Sequence, residues 1–208
     1  MKKMLLLLLT ALMALSLTAC RRGPFVPAPE KPVLYLYPEE ETQVHVTLDI
    51  DGTLTCTYPA YENGWSVTAA PGGTLRDNSG QTYRYLYWEA EQRAEFDFSH
   101  GFCVAGADTA AFLEEVLAQI GLNRAEANEF IIYWLPQMEQ NAYNLIAFQD
   151  EAYTVGAQLH IDPAPDSLLR VFMTWKPLSA PVAVEPQTFA PFVRSGFTAV
   201  EWGGAQIK

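Results

Sequence analysis

The sequence predicts an α+β fold: a mainly antiparallel sandwich or curved sheet, with two consecutive helices packed on one side. Many short segments alternate between apolar and polar residues and are separated by turn residues, which is typical of strands. One central stretch instead has apolar residues at helical spacing. Strands and helices do not alternate along the chain, and such alternation is what a doubly wound parallel sheet would require. These three observations favour antiparallel β-structure with one helical excursion.

The first strands follow from β-branched and aromatic residues between turn signals. Residues 33–37 lie between two prolines, and residues 44–50 alternate cleanly as in a half-buried strand. The dipeptide Asp51-Gly52 is typical of a two-residue hairpin and predicts a return strand over residues 54–58. Later segments with the same character predict further strands at residues 65–69, 82–89, 130–135, 143–148, 157–161, 168–175 and 197–202. We expect residues 130–135 to form a central strand that is covered on both faces and ends at Pro136.

The helical stretch begins after Gly106. Its apolar residues recur at intervals of three and four: Phe112, Leu113, Val116, Leu117 and Ile120. Asp108 is placed to cap its start, and Gly121 is placed to end it in a left-handed conformation. Asn123 and Glu126 form a capping-box pattern that predicts a second, short helix before the strand at residue 130.

The N-terminus has the organisation of an export signal. Two lysines precede an apolar run from Met4 to Leu17, and small residues lead to Cys20. The run is too short for a transmembrane helix, so residues 1–19 are predicted to be a signal peptide. The cysteine at the cleavage point resembles the lipobox of bacterial lipoproteins. The resemblance implies that Cys20 is diacylated, and two acyl chains suffice for stable membrane anchoring. The alternative is an ordinary signal peptide followed by a coincidental cysteine.

Two segments follow the signal peptide. Residues 20–32 are rich in proline, which favours an extended tether. Residues 33–208 are long enough for one domain with a substantial core. The predicted location is therefore the bacterial cell envelope, outside the cytoplasm, with the domain held on a membrane by lipid.

The charge balance excludes some partners. The full chain has 13 basic and 24 acidic side chains; loss of Lys2 and Lys3 with the signal peptide leaves 11 against 24, a net charge of −13. A strongly acidic surface repels nucleic acids and anionic headgroups, so we expect no nucleic-acid partner. It suits a soluble body held off a membrane, or a cationic partner.

The two remaining cysteines predict a disulfide. Cys56 and Cys103 lie in a domain that is expected to be exported, where disulfides persist. Cys56 is predicted to point to the apolar face of its strand, which would shelter the bond. The alternative is two separate buried thiols that pack as small apolar groups.

No motif of a nucleotide-binding, metal-dependent or serine-hydrolase site occurs in the sequence. His45, His100 and His160 are far apart, and none has a second histidine at ligand spacing. We therefore expect neither a metal site nor a cofactor.

The strongest candidate site combines tryptophan with glutamate. Trp88-Glu89 ends one predicted strand, and Glu201-Trp202 ends another. An indole can stack on a sugar ring while a carboxylate accepts hydrogen bonds from hydroxyl groups, and two carboxylates can also perform acid–base chemistry on a glycosidic bond. If these residues form a site, the two strands must be neighbours and at least one indole must be partly exposed. The alternative is that the indoles are core residues and the glutamates face solvent.

Several segments together resemble an uncharacterised family of bacterial lipoproteins and secreted domains. They are residues 31–38 (KPVLYLYP), 54–59, 85–89, 129–136, 170–175 and 196–204 (GFTAVEWGG). The resemblance implies a single domain over about residues 31–208 and brings no activity with it. The sequence thus predicts a non-catalytic module that binds a glycan, a peptide or a partner protein. The alternative is a carbohydrate-active hydrolase with a carboxylate pair.

Overall fold

A computed structural model describes residues 30–92 and 94–207, arranged as a layer of helices, a seven-stranded sheet and a five-stranded sheet. The predicted α+β class is confirmed, because antiparallel strand pairs dominate and the two long helices pack on one side. The signal peptide, Cys20 and most of the predicted tether lie outside the described residues.

The two sheets are built from strands that are distant in sequence. Their bounds are β1 Glu30–Tyr37, β2 Thr42–Ile50, β3 Gly52–Tyr58, β4 Trp65–Ala69, β5 Leu75–Asp77, β6 Thr82–Tyr83, β7 Leu86–Gln92, β8 Phe102–Ala105, β9 Tyr143–Gln149, β10 Ala157–Asp162, β11 Ser167–Leu178 and β12 Thr198–Gln206. The large sheet has the order β3-β7-β1-β12-β11-β9-β8, and the small sheet has the order β10-β2-β4-β5-β6. Within the described sheets, β11 and β12 pair in parallel and the other neighbours pair antiparallel.

The large sheet is the middle layer, so its central strands are covered on both faces. Residues 198–205 of β12 are all buried. One face of the sheet joins the helices in an apolar core that contains Tyr35 and Trp202. The other face joins the small sheet in a second core that contains Leu34 and Trp88. Alternate residues of one strand therefore enter different cores, as the two-residue period of a strand requires.

The two long helices are consecutive. Helix α1 spans Thr109–Ile120, and Gly121 ends it with φ of 115° as predicted. Helix α2 spans Arg124–Met138 and begins with the predicted capping box of Asn123 and Glu126. A one-turn helix, α3, spans Glu151–Thr154.

The predicted strand at residues 130–135 is wrong, because α2 continues through this segment. Phe130, Trp134 and Met138 recur every four residues and are fully buried, so they form one helical face. Ile132 is 74% exposed on the opposite side, which is impossible for a strand covered on both faces. Pro136 lies inside the helix and cannot donate to the carbonyl of Ile132, which lies on the exposed side where water can replace the bond.

The predicted hairpin at Asp51-Gly52 is also wrong. The dipeptide joins β2 to β3, but β2 belongs to the small sheet and β3 pairs with β7 in the large sheet. The Asp51 N–H donates to the carbonyl of Gly156 over 2.9 Å. A Cβ atom on Gly52 would lie 1.9 Å from the carbonyl oxygen of Glu91, so only glycine allows the close approach of β3 to β7 at this corner.

Strand β1 begins at Glu30, so the end of the predicted tether, residues 30–32, belongs to the sheet. Glu30 lies opposite Gly204 of β12, and the pairing shifts register before it resumes at Val33. Pro32 packs on Gly203, where an added Cβ would lie 3.0 Å from the Cα of Pro32.

Candidate functional site

Two of the predicted site residues meet, but in the core between the sheets. Strands β7 and β12 are not direct neighbours, since β1 lies between them. The Trp88 Nε1–H nevertheless donates a hydrogen bond of 3.1 Å to Oε1 of Glu201. Both side chains are fully buried, so their contact is an internal one.

Arg170 and Tyr153 complete the surroundings of Glu201. Arg170 Nε donates to Glu201 Oε2 over 2.6 Å, and the Tyr153 hydroxyl donates to the same oxygen over 3.1 Å. Arg170 also donates from Nη1 to the carbonyl of Ala157, which lies in the small sheet. The cluster of Trp88, Tyr153, Arg170 and Glu201 therefore joins the two sheets, and we call it the inner cluster.

Charge and burial both act on the inner cluster. Burial, the largest single influence, disfavours the charged guanidinium of Arg170, but electrostatic attraction to Glu201 and Tyr153 and hydrogen bonds with both together outweigh it and raise the pKa of Arg170. Burial, together with the Glu201 charge, raises the pKa of Tyr153 well above its ordinary value. The cluster thus holds one cation, one anion and a neutral phenol. A carboxylate that is ion-paired and closed to solvent supports structure better than acid–base chemistry on a large substrate.

Trp202 lies on the opposite face of the large sheet, against α2. Its Nε1–H donates to the Tyr35 hydroxyl over 3.3 Å, and its ring centroid is 5.2 Å from that of Phe130. Trp202 and Trp88 are both 0% exposed. The prediction of a partly exposed indole is therefore wrong, because adjacent residues enter the two cores and neither core opens an indole face to solvent.

Glu89 is the one predicted site residue that reaches the surface. It follows Trp88 in β7 and so points to the helix side of the sheet, where it is partly exposed. It lies opposite Cys56 of β3, and Tyr87 lies opposite Tyr58, so these side chains share one sheet face. Tyr58 is 63% exposed.

Two more tyrosines border this face. Tyr85 and Tyr133 are partly buried against the same apolar core as Tyr87. Lys31 Nζ lies 5.5 Å from the ring centroid of Tyr85 and 5.4 Å from that of Tyr133, which are cation–π distances. We call the surface formed by Tyr58, Tyr85, Tyr87, Glu89 and Tyr133 the tyrosine face.

Carboxylates accept hydrogen bonds from tyrosine hydroxyl groups at the border of the tyrosine face. The Tyr133 hydroxyl donates to Glu30 over 2.9 Å. Arg84 forms an ion pair of 2.7 Å with Glu129, which also accepts from Tyr35. Burial and neighbouring carboxylates raise the pKa values of Tyr87 and Tyr133, so both phenols stay neutral at physiological pH.

The tyrosine face can bind rather than react. It offers ring surfaces, phenol groups, the carboxylates of Glu89 and Glu30 and the ammonium group of Lys31, and all of these are recognition groups. Sequence reasoning identified Glu89 but missed the tyrosines. Their signal was the spacing of Tyr85, Tyr87 and Glu89 at every second position, which places them on the face opposite Trp88.

The predicted disulfide is wrong. Both cysteines are free thiols in the structure, and Cys56 is exposed rather than turned to an apolar face. Cys56 lies in β3 and Cys103 in β8, which are the two edges of the large sheet. Six inter-strand steps of about 4.8 Å separate them by on the order of 25–30 Å. Covalent pairing within one chain would need a different fold.

Within the described residues, no cluster of three or more histidine, cysteine or acidic side chains has the geometry for a metal ion. His45 contacts Ser66 and His100 contacts Ser99, each at about 3 Å. In the same part of the chain, no helix is both long and apolar enough to span a bilayer.

The comparisons with known proteins give one partial similarity. The chain is 44% identical over 64 residues to an uncharacterized protein in the bglA 3′ region of Butyrivibrio fibrisolvens. The match covers 29% of this chain and 66% of the relative, so the chain spans just under two thirds of the relative's length. No protein-family model matches the chain, and no solved structure matches it.

Proposed function

We propose that the protein is a lipid-anchored, extracytoplasmic binding module whose tyrosine face binds carbohydrate. The observation that carries this proposal is that Tyr87 and Glu89 of β7, the preceding Tyr85, Tyr58 of β3 and Tyr133 of helix α2 border one partly exposed area on the helix side of the large sheet. The fold supplies a rigid base, because β7 is held between β1 and β3. Cys20 provides the anchor, and residues from Arg21 onward lead to the domain.

The chemistry of the tyrosine face matches a sugar. A pyranose has one apolar C–H surface, which packs on a flat aromatic ring, and a rim of hydroxyl groups. Tyrosine offers a large rigid contact area at low cost in conformational entropy and keeps a polar tip. Glu89 accepts hydrogen bonds from hydroxyl groups, while Lys31 donates them. A mainly neutral ligand also avoids repulsion from the acidic surface.

The hydrolase alternative loses its carboxylate pair. Glycosidases place two carboxyl groups about 5–10 Å apart on either side of the scissile bond. Glu89 points to the helix side of the sheet, whereas Glu201 points to the other side and pairs with Arg170. The predicted pair of Glu89 and Glu201 therefore does not face one cleft, which supports binding without turnover.

The anchor is tested by metabolic labelling with a radiolabelled fatty acid. We expect the wild-type protein to incorporate label and remain with the membrane, and the Cys20→Ser variant to do neither. Label retained by Cys20→Ser would refute the lipid anchor but not the binding site.

The binding site is tested with a glycan array and envelope polysaccharides, using the chain from Arg21 onward. We expect at least one carbohydrate to bind, and Tyr58→Ala to reduce that binding at least tenfold. Tyr58 is 63% exposed and contacts the ring of Tyr83 edge-on, with centroids 5.5 Å apart, so this change should cost little stability. Tyr143→Ala is the matched control, because Tyr143 is a partly buried tyrosine in β9, outside the tyrosine face. Equal loss in both variants would contradict the assignment.

A further inference from the structure

A groove runs along one side of β11, at a distance from the tyrosine face. Strand β9 pairs with β11 from Leu178 back to Phe172, and β9 then ends at Gln149. Strand β11 continues to Ser167, so Ser167–Val171 has β12 on one side and, among the described strands, no partner on the other. At about 3.4 Å per residue, this open edge is about 17 Å long.

The backbone polar groups of Leu168 and Arg170 point to the open edge. The Trp175 carbonyl accepts a hydrogen bond of 2.7 Å from Ile207, so Trp175 directs its backbone polar groups toward β12. Strand residues alternate in this direction, and even-numbered residues of β11 therefore face the side of β9. Phe172 and Thr174 use this side to pair with β9. Leu168 and Arg170 continue the same row.

The neighbouring edge of β9 is already closed. Gln187 donates from Nε2 to the Phe148 carbonyl and accepts from the Phe148 N–H, both over 2.8 Å. A side-chain amide thus replaces a strand on β9 and fixes the segment that forms the far wall of the groove. No comparable contact reaches the edge of β11 from the described residues.

The volume and the charge of the groove restrict what it can bind. The part beside β11 has a volume of about 600 Å³, with an apolar lining that includes Leu169, Phe189 and Phe192. It continues past Asp150 into a second hollow of about 560 Å³, which is lined by Asp97 and Glu151 among others. Arg170 is the cationic side chain of the first part, and Glu201 already pairs with it. The unneutralised charge along the groove is therefore negative.

We propose that this groove binds an extended, basic segment of a partner polypeptide, which adds to β11 as an antiparallel strand in line with β9. Backbone hydrogen bonds with Leu168 and Arg170 give affinity, and the apolar lining receives alternate side chains. Asp97, Asp150 and Glu151 select lysine or arginine at the end that leaves the sheet. The acidic surface of the whole protein attracts the same partner. This function is separate from carbohydrate binding at the tyrosine face.

The test measures fluorescence anisotropy of labelled seven-residue peptides with the full chain in detergent micelles. One peptide alternates lysine and valine, and a second alternates glutamate and valine. A third has the first sequence with alternate backbone nitrogens methylated, which blocks strand pairing. We expect only the first to bind, with an affinity that falls as salt is raised.

Two variants locate the binding. Leu168→Pro removes the backbone N–H at the open edge, and Leu168→Val is its matched control. The double variant Asp150→Asn, Glu151→Gln leaves the edge intact and removes charge. We expect at least a tenfold loss with Leu168→Pro and with the double variant, and less than a threefold change with Leu168→Val. The double variant keeps the test valid if Leu168→Pro does not fold.

Three results would overturn the proposal: no peptide binds, the methylated or acidic peptide binds as well as the basic one, or the double variant binds normally. A concentration-dependent dimer that Leu168→Pro abolishes, without peptide binding, would assign the edge to a second copy of the chain. Carbohydrate binding is measured on the same variants. This measurement shows whether the peptide proposal or the carbohydrate proposal is the one that is wrong.

Discussion

Strand β7 carries aromatic and acidic partners on both of its faces, and the two faces differ in what covers them. On the inner face, Trp88 bonds to Glu201 and both are closed to solvent. On the outer face, Tyr87 and Glu89 lie beside the exposed Tyr58. The same residue types thus form a structural link on one side of a sheet and an accessible surface on the other.

The difference shows that layer position decides the role of a polar group. Between the sheets, the ion-paired inner cluster fixes how the layers pack, and breaking the pair is costly. On the outer face, water can replace any internal hydrogen bond, so a ligand can do so as well. We therefore expect the inner cluster to govern stability and the tyrosine face to govern binding.

The largest expected effect is that of Glu201→Gln. The change leaves the buried Arg170 without a counter-charge and should lower the free energy of unfolding by about 3–5 kcal/mol. Urea denaturation measures it, with Glu89→Gln as the matched control on the outer face, where we expect less than about 0.5 kcal/mol. Similar values for the two variants would remove the distinction between the faces.

A second comparison uses two tyrosines that both contact carboxylates. Tyr153→Phe removes a buried hydrogen bond to Glu201 and should lower the free energy of unfolding by about 1.5–3 kcal/mol. Tyr87→Phe acts on the outer face, where water can satisfy Glu89, and should cost less than about 0.5 kcal/mol. Urea midpoints at equal slope provide the measurement. A larger loss of unfolding free energy in Tyr87→Phe than in Tyr153→Phe would contradict the structural role assigned to the inner cluster.

The inner cluster also predicts an alkaline effect. Burial holds the pKa of Tyr153 above its ordinary value of about 10, so above that pH the unfolded chain releases a proton that the folded chain retains. The unfolded state then binds fewer protons, and stability falls as pH rises. Each such tyrosine contributes about 1.4 kcal/mol per pH unit in this window. Unfolding measured from pH about 9 to about 11 should show a shallower decline in Tyr153→Phe; identical slopes would contradict the burial of this phenol.

Local signals in the sequence predicted much of the fold. The capping box at Asn123 and the left-handed stop at Gly121 depend on neighbouring residues, and both predictions are confirmed. The segment 130–135 was misassigned because a short apolar run has no distinct period. Phe130, Trp134 and Met138 reveal their helical face only over a longer window.

The sequence-based predictions were wrong where the structure depends on pairing between strands that are distant in sequence. Asp51-Gly52 has the composition of a hairpin turn, but β3 pairs with β7 rather than β2 because the chain changes sheets there. The four residues of the predicted tryptophan–glutamate site do not share one surface, for the same reason. Glu89 and Glu201 each abut a tryptophan in sequence, yet which face of β7 or β12 is covered depends on layers formed by distant segments.

The most direct test of the division between the two faces is to measure affinity and stability on the same pair of variants. Calorimetric titration with the carbohydrate that binds best, combined with urea unfolding, should be applied to Glu89→Gln and Tyr153→Phe. We predict that Glu89→Gln loses affinity about tenfold, or 1.4 kcal/mol, with unchanged unfolding, while Tyr153→Phe is less stable and binds normally. An affinity that Glu89→Gln leaves intact, or the absence of any carbohydrate that binds, would contradict it.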